Sequence, residues 1–191
     1  MKTAFIGIDY IIDIMHPEGK IARSASQAAE RNIIANANQI LTIADSKGWL
    51  KLLVKVGFNA NYIEQPKHSP VFSKANQIGA LTLGEIGTDF HPDLHTDKVD
   101  MIIVKPRVSA FYCTELEAVL RANKIEQLII AGVSTAMTVQ STAREAHDRD
   151  YAVVIIEDAC AAPTQDEHDS SIKFLNNIAT VMSTAQLKSD F

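Results

Sequence analysis

Residues Gln127-Leu128-Ile129-Ile130-Ala131-Gly132-Val133-Ser134-Thr135 decide how this chain folds. After Gln127 the run is apolar without alternation, which suits a strand of a parallel sheet covered on both faces. It passes through Gly132-Val133-Ser134-Thr135 into a helix predicted from about Thr135 to Asp148. Outward from this stretch the same alternation recurs. Strands are predicted over 3–9, 50–56, 101–105, 127–132, 152–157 and 178–182. Between them, Ile33, Ile34, Ala37, Ile40, Leu41 and Ala44 form one apolar helical stripe that Gly48 should stop. Thr114 and Glu117 have capping-box spacing ahead of Leu116, Val119 and Leu120. A further helix is expected over 165–177. Strand–helix alternation of this kind predicts an α/β fold, a doubly wound three-layer sandwich with a six-stranded, mainly parallel, Rossmann-like sheet. Ligands then bind outside the carboxyl ends of the strands.

The chain has 191 residues, 47% hydrophobic and 21% charged, which fits one globular domain spanning 1–191 and excludes intrinsic disorder. A net charge of −5 gives no basic footprint for nucleic acid or an anionic membrane. No apolar stretch approaches the ~20 residues of a membrane span, and the amino terminus lacks the pattern of a signal peptide. Cys113 and Cys160 are too few for a disulfide framework. They read as reduced structural thiols of a cytoplasmic protein. Only 57–97 is irregular, rich in Pro, Gly, Asn and His. It is expected to be a lid or an oligomer contact.

Three strand ends carry polar chemistry: Asp9, Lys105 before Pro106, and the helix start at Ser134-Thr135. Singly, such residues are more simply a cap, a solvated charge and a turn. Together they line one sheet edge with an acid, a cation and helix N-terminal N–H groups, a combination suited to an anionic or carbonyl substrate.

Four segments, in order, carry a resemblance over nearly the whole chain: Ile8-Asp9; 104–111, reading Val-Lys-Pro-Arg-Val-Ser-Ala-Phe; 131–135 continuing to Ser141-Thr142-Ala143-Arg144; and 157–162 followed by Glu167-His168. On these the chain is identified as a member of the isochorismatase-like hydrolase superfamily, of a subgroup lacking the nucleophilic cysteine. The resemblance implies an Asp–Lys–Cys triad in which Asp9 and Lys105 supply the first two members. The cysteine belongs in Gly-Val-x-Thr-x-x-Cys-Val, and at that position stands Thr138. It further implies a non-proline cis peptide between Val133 and Ser134, with the Ser134 and Thr138 N–H groups aimed into one oxyanion hole. Thr135 would be the helix N-cap. Arg107 is a candidate carboxylate binder. Phe58, Tyr62, Phe111 and Tyr112 are candidate pocket walls.

The missing thiol matters chemically. A thiolate beside a cation at a helix N-terminus attacks amide carbonyls. A threonine hydroxyl is far less acidic and is β-branched. The resemblance also covers enzymes that cleave a vinyl ether without a covalent nucleophile, the aspartate protonating the enol-ether carbon before water adds. Three readings follow. One is hydrolysis of a small carboxylate-bearing molecule by Asp9 acid/base catalysis. Another is a catalytically inactive small-molecule-binding homologue, and the third is a Thr138-dependent amidase. Ile11 replaces a glutamine common in the family. The stretch 56–62 lacks the Asp/His metal cluster of nicotinamidases, and His91-Pro92-Asp93-Leu94-His95 offers no third ligand. No metal and no cofactor are therefore expected. The family resemblance implies a homodimer or homotetramer.

Overall fold

The computed structural model describes residues 1–190. Six strands form: β1 (Thr3–Ile8), β2 (Leu50–Val56), β3 (Met101–Lys105), β4 (Gln127–Gly132), β5 (Ala152–Ile156) and β6 (Thr180–Met182). They lie in the order β3-β2-β1-β4-β5-β6. Every pairing is parallel, so the sheet is wholly rather than mainly so. Every residue of the adjacent strands β1 and β4 is buried, as their unbroken apolar runs require. Edge strand β3 instead alternates, leaving Ile102 and Val104 exposed and Ile103 and Lys105 buried.

Eight helices accompany the sheet among the described residues: α1 (Ile12–Met15), α2 (Ala25–Glu30), α3 (Ile33–Ser46), α4 (Ala75–Ile78), α5 (Leu116–Ala122), α6 (Gln140–Asp148), α7 (Gln165–Leu175) and α8 (Thr184–Asp190). From β1 the chain steps outward to β2 and β3; from β4 it steps the other way. With right-handed crossovers, the two directions put helices on opposite faces. α3 packs on β1, β2 and α8, while α6 packs on β5 and α7. Ile33, Ile34, Ala37, Ile40, Leu41 and Ala44 are buried as the stripe predicts. Full burial of a side chain such as Ile40 or Leu41 contributes about 1.5–3 kcal/mol. Gly48 follows α3 at φ +65°, a conformation that costs glycine little.

Three local readings need correction. β6 starts at Thr180, because the Ile178 and Ala179 N–H groups instead bond to the Leu175 carbonyl and close α7. β1 and β5 end one residue early, at Ile8 and Ile156. The capping box at Thr114 does not form, because the helix begins one residue later than the spacing required. Thr114 Oγ1 donates to the Ala110 carbonyl, and Glu117 pairs with Arg121 at 2.7 Å.

The 57–97 stretch has structure of its own. It contains α4 and two short 3-10 turns, Ile86–Thr88 and Thr96–Lys98. A second apolar cluster gathers Ile11, Val56, Phe58, Tyr62, Phe72, Ala75, Ala80 and Leu81. Buried Asp13 ties the stretch to the first loop. Its carboxylate accepts from the Lys20 N–H at 3.1 Å and the Leu81 N–H at 2.6 Å. Asp13→Ala strands two backbone donors, one of them buried, and is expected to cost about 1–3 kcal/mol. Limited proteolysis checks this: cleavage within 57–97 should accelerate in the variant, and unchanged cleavage refutes the anchoring role. No helix among the described residues is long and apolar enough to cross a membrane.

Candidate active site

β1 ends by turning into the left-handed region at Asp9, φ +57°, which aspartate tolerates better than most residues. The Asp9 N–H still extends the ladder to the Val54 carbonyl at 2.8 Å, but the side chain swings across the end of β2. Its Oδ1 accepts from the Val56 N–H at 2.7 Å. Its Oδ2 accepts from Lys105 Nζ at 2.7 Å and from the Thr138 hydroxyl at 3.0 Å. Lys105 is the last residue of β3, paired with Val56. Its ammonium also donates to the Arg107 carbonyl at 3.1 Å. Asp9 and Lys105 are each 1% exposed and Thr138 is 6% exposed. The three residues named from the sequence therefore converge on one carboxylate oxygen.

Thr138 reaches that oxygen because β4 leads into a tight turn. The Val133–Ser134 peptide is cis. Thr135–Val139 is a π-helical turn, an element frequent at functional sites, and it continues into α6. The Ser134 carbonyl accepts from the Met137 and Val139 N–H groups. No group among the described residues accepts from the Ser134 N–H itself. Gly132, at φ +154°, lies so close to β1 that a Cβ would run into the Ile8 carbonyl oxygen.

Thr135 is not the helix N-cap; Ser134 holds that position. The Thr135 hydroxyl is instead 2.9 Å from His168 Nδ1, on α7. His168 Nε2 lies 2.9 Å from Arg31 Nη2 and 3.2 Å from Glu157 Oε2. This cluster escaped the sequence reading, although Glu157 and His168 stood within the quoted segments. Arg31 had no local signal, since its partners lie 126 and 137 positions away.

The other candidates sit less centrally. Arg107 touches the triad through its backbone only; its guanidinium donates to the Glu64 and Pro106 carbonyls and lies 5.9 Å over the Tyr112 ring. Tyr112 is half exposed. Phe58 is fully buried against Tyr62 and Phe72, so it offers no open wall. Tyr62 and Phe111 are buried too. Cys160 is buried, and burial pushes its thiol up to about 12, far from nucleophilic use near neutral pH. Cys113 is exposed. Neither of the two cavities described includes a triad residue. One, about 350 Å³, is lined by residues of α2 and α3; the other, about 540 Å³, lies near Met1 and Trp49. Among the described residues, no three His, Cys, Asp or Glu side chains are arranged to hold a metal ion.

Burial holds the His168 imidazole below its ordinary range, and Arg31 adds to the effect. His91 is lowered as well, chiefly by burial. Such a ring binds a proton more readily in the unfolded chain. Its contribution to stability is complete above the unfolded pKa, about 6.5, and is lost as pH falls through the folded value. Urea unfolding should therefore show stability falling on acidification below about pH 6.5, less steeply in His168→Gln. An equal pH dependence in the variant would remove His168 from this account.

Comparison with known proteins fits this geometry. The family model for the isochorismatase domain matches residues 3–186. The chain belongs to the isochorismatase family. It is 30% identical over 181 residues to the uncharacterized isochorismatase family protein YecD of Escherichia coli O157:H7, covering 93% of this chain and 92% of that one. It is 31% identical over 140 residues to the ureidoacrylate amidohydrolase RutB of Acinetobacter baylyi, covering 67% of this chain and 57% of RutB. Among solved structures, an isochorismatase family protein from Desulfovibrio vulgaris superposes with a TM-score of 0.87 at 23% identity, covering 98% and 97% of the two chains. The pyrazinamidase/nicotinamidase of Streptococcus mutans gives 0.81 at 24% identity, covering 94% and 99%. These superpositions establish that this isochorismatase-like hydrolase family member shares their fold.

Proposed function

We propose that this chain hydrolyses a small carboxylate-bearing molecule, with Asp9 as general acid and base and without a covalent enzyme intermediate. The observation that carries the reading is the convergence of Lys105 and the Thr138 hydroxyl on Asp9 Oδ2. A thiol ionises near pH 8.5; an aliphatic hydroxyl does not ionise in the accessible range. Thr138 therefore serves to orient Asp9 and, once substrate enters, a water molecule.

For a vinyl ether the steps balance as follows. The Asp9 carboxylate first takes up a proton from solvent and gives it to the terminal alkene carbon, forming an oxocarbenium ion. Water adds to that ion and returns a proton to Asp9. The hemiketal then breaks its C–O bond to give an alcohol and a ketone. Lys105 fixes the carboxylate and stabilises its charge after proton transfer. The Ser134 N–H, which has no backbone acceptor among the described residues, is assigned to a substrate oxygen.

Pyruvate release from isochorismate tests the reading, with Asp9→Asn as control. The variant should lose at least about 100-fold in rate. Equal rates refute Asp9 catalysis. A second reading, an inactive small-molecule-binding homologue, is favoured by the near-complete burial of the triad. Tight binding of a small acid without turnover of any related ester, ether or amide would establish it. An acyl adduct on Thr138, seen by mass spectrometry, would instead establish the amidase reading.

A homodimer or homotetramer belongs to the same proposal. Supporting it, Ile63, Val71, Ile78 and Ile86 expose apolar side chains within 57–97, and Ile102 and Val104 do so on β3. Light scattering of the purified protein tests this, and a monomer at all concentrations refutes it.

A further inference from the structure

One buried polar cluster on the Thr138 turn has no part in the chemistry above. Arg31, just beyond α2, donates from Nε to the Cys160 carbonyl at 2.9 Å. Its Nη2 faces the Glu157 carbonyl at 2.9 Å, Glu157 Oε2 at 3.2 Å and His168 Nε2 at 2.9 Å. His168 is 1% exposed, and Nδ1 on its other side is 2.9 Å from the Thr135 hydroxyl, which is fully buried. The Thr135 N–H donates to the Ala161 carbonyl at 2.9 Å. The first residue of the π-helical turn is thus gripped by backbone and side chain, and Thr138 follows one turn later against Asp9.

The contact distances favour one placement of the protons. A guanidinium only donates, and Arg31 Nη2 has two hydrogens for the Glu157 carbonyl, Glu157 Oε2 and His168 Nε2; the two shortest contacts, both 2.9 Å, take them when His168 Nε2 presents its lone pair. The neutral ring then carries its hydrogen on Nδ1 and donates to Thr135. The opposite tautomer would set two donors 2.9 Å apart. Its gain, a bond to Glu157, is small, because that carboxylate already pairs with Arg31 and its side chain is 38% exposed to water.

We propose that Arg31, through the tautomer it imposes on His168, positions the turn that sets Thr138 against Asp9. Arg31 and His168 are then positioning residues of the site, and the functional weight of this rests on reading that turn as catalytic. If the Nδ1–H bond is lost, the buried Thr135 hydroxyl loses its only side-chain partner among the described residues. The turn then relaxes away from the carboxylate.

Two measurements test it, and neither needs a substrate. Long-range nitrogen–proton NMR of the native protein should show a pyridine-type Nε2 and a pyrrole-type Nδ1 at His168. The reverse assignment overturns the proposal. A thiol introduced by Thr138→Cys then reports the turn through its ultraviolet thiolate absorbance. In that background His168→Gln and Thr135→Val should move the titration midpoint by about one pH unit, a tenfold change in thiolate. His168→Asn keeps an amide nitrogen near the Nδ1 position, and Thr135→Ser keeps the hydroxyl; both should hold the midpoint. Equal midpoints in all four variants, or equal shifts in all four, overturn the proposal. If His168→Gln fails to fold, the Thr135→Val and Thr135→Ser pair makes the same comparison. Absence of turnover on every substrate would sink the catalytic reading while leaving both measurements to decide the positioning.

Discussion

Asp9→Ala is expected to destabilise the fold by about 3–5 kcal/mol, because it leaves the Lys105 ammonium buried and without its counter-charge. Both partners are 1% exposed, and their N···O distance is 2.7 Å. Among the described residues Lys105 would keep only the Arg107 carbonyl, at 3.1 Å. The Val56 N–H and the Thr138 hydroxyl would lose their acceptor as well. The cost lies in the charge left behind rather than in the bond removed. Asp9→Ala combined with Lys105→Met should therefore recover most of the loss. Urea unfolding of the four proteins measures the coupling. A single-variant cost below about 1 kcal/mol would mean that the ammonium finds water or another partner, and that the pair is less enclosed than described.

Gly132→Ala is expected to cost more than about 3 kcal/mol, at the upper end of single substitutions. The residue has φ +154°, where side chains are strained. A methyl group there meets the backbone of Ile8, which cannot move without separating β1 from β4. Those strands present Asp9 and the Ser134 turn, so site and sheet would suffer together. The checks are the unfolding midpoint and the amide spectrum of residues 132–139. A variant as stable as the parent, with an unmoved spectrum, would show that the two strands have slack at their carboxyl ends.

The central strands are readable from the order of apolar residues, because burial on both faces demands nearly unbroken apolar runs at 3–8 and 127–132. Asp9, Lys105 and Thr138 were readable through the resemblance, and their convergence follows from strand order. A threonine at a helix start has capping chemistry in any sequence, so the sequence points to Thr135 as the cap. Its hydroxyl is claimed here by His168, 33 positions away. A phenylalanine at position 58 suits a pocket wall or a core by residue type; packing against Tyr62 and Phe72 decides for the core. The 57–97 stretch read as irregular because its order comes from the distant Asp13 carboxylate and from short turns without periodicity.

The bond between Thr138 and Asp9 joins positions 129 residues apart, and Lys105 reaches the same oxygen from the far edge strand. Contacts so distant along the chain close late in folding, after the entropy of the intervening loops has been spent. No fragment ending before Thr138 contains the complete arrangement. The Val56 amide hydrogen, donated to Asp9 inside this knot, should exchange with solvent only when the entire molecule opens. Its exchange rate thus reads the global stability of the protein from beside the Asp9 carboxylate.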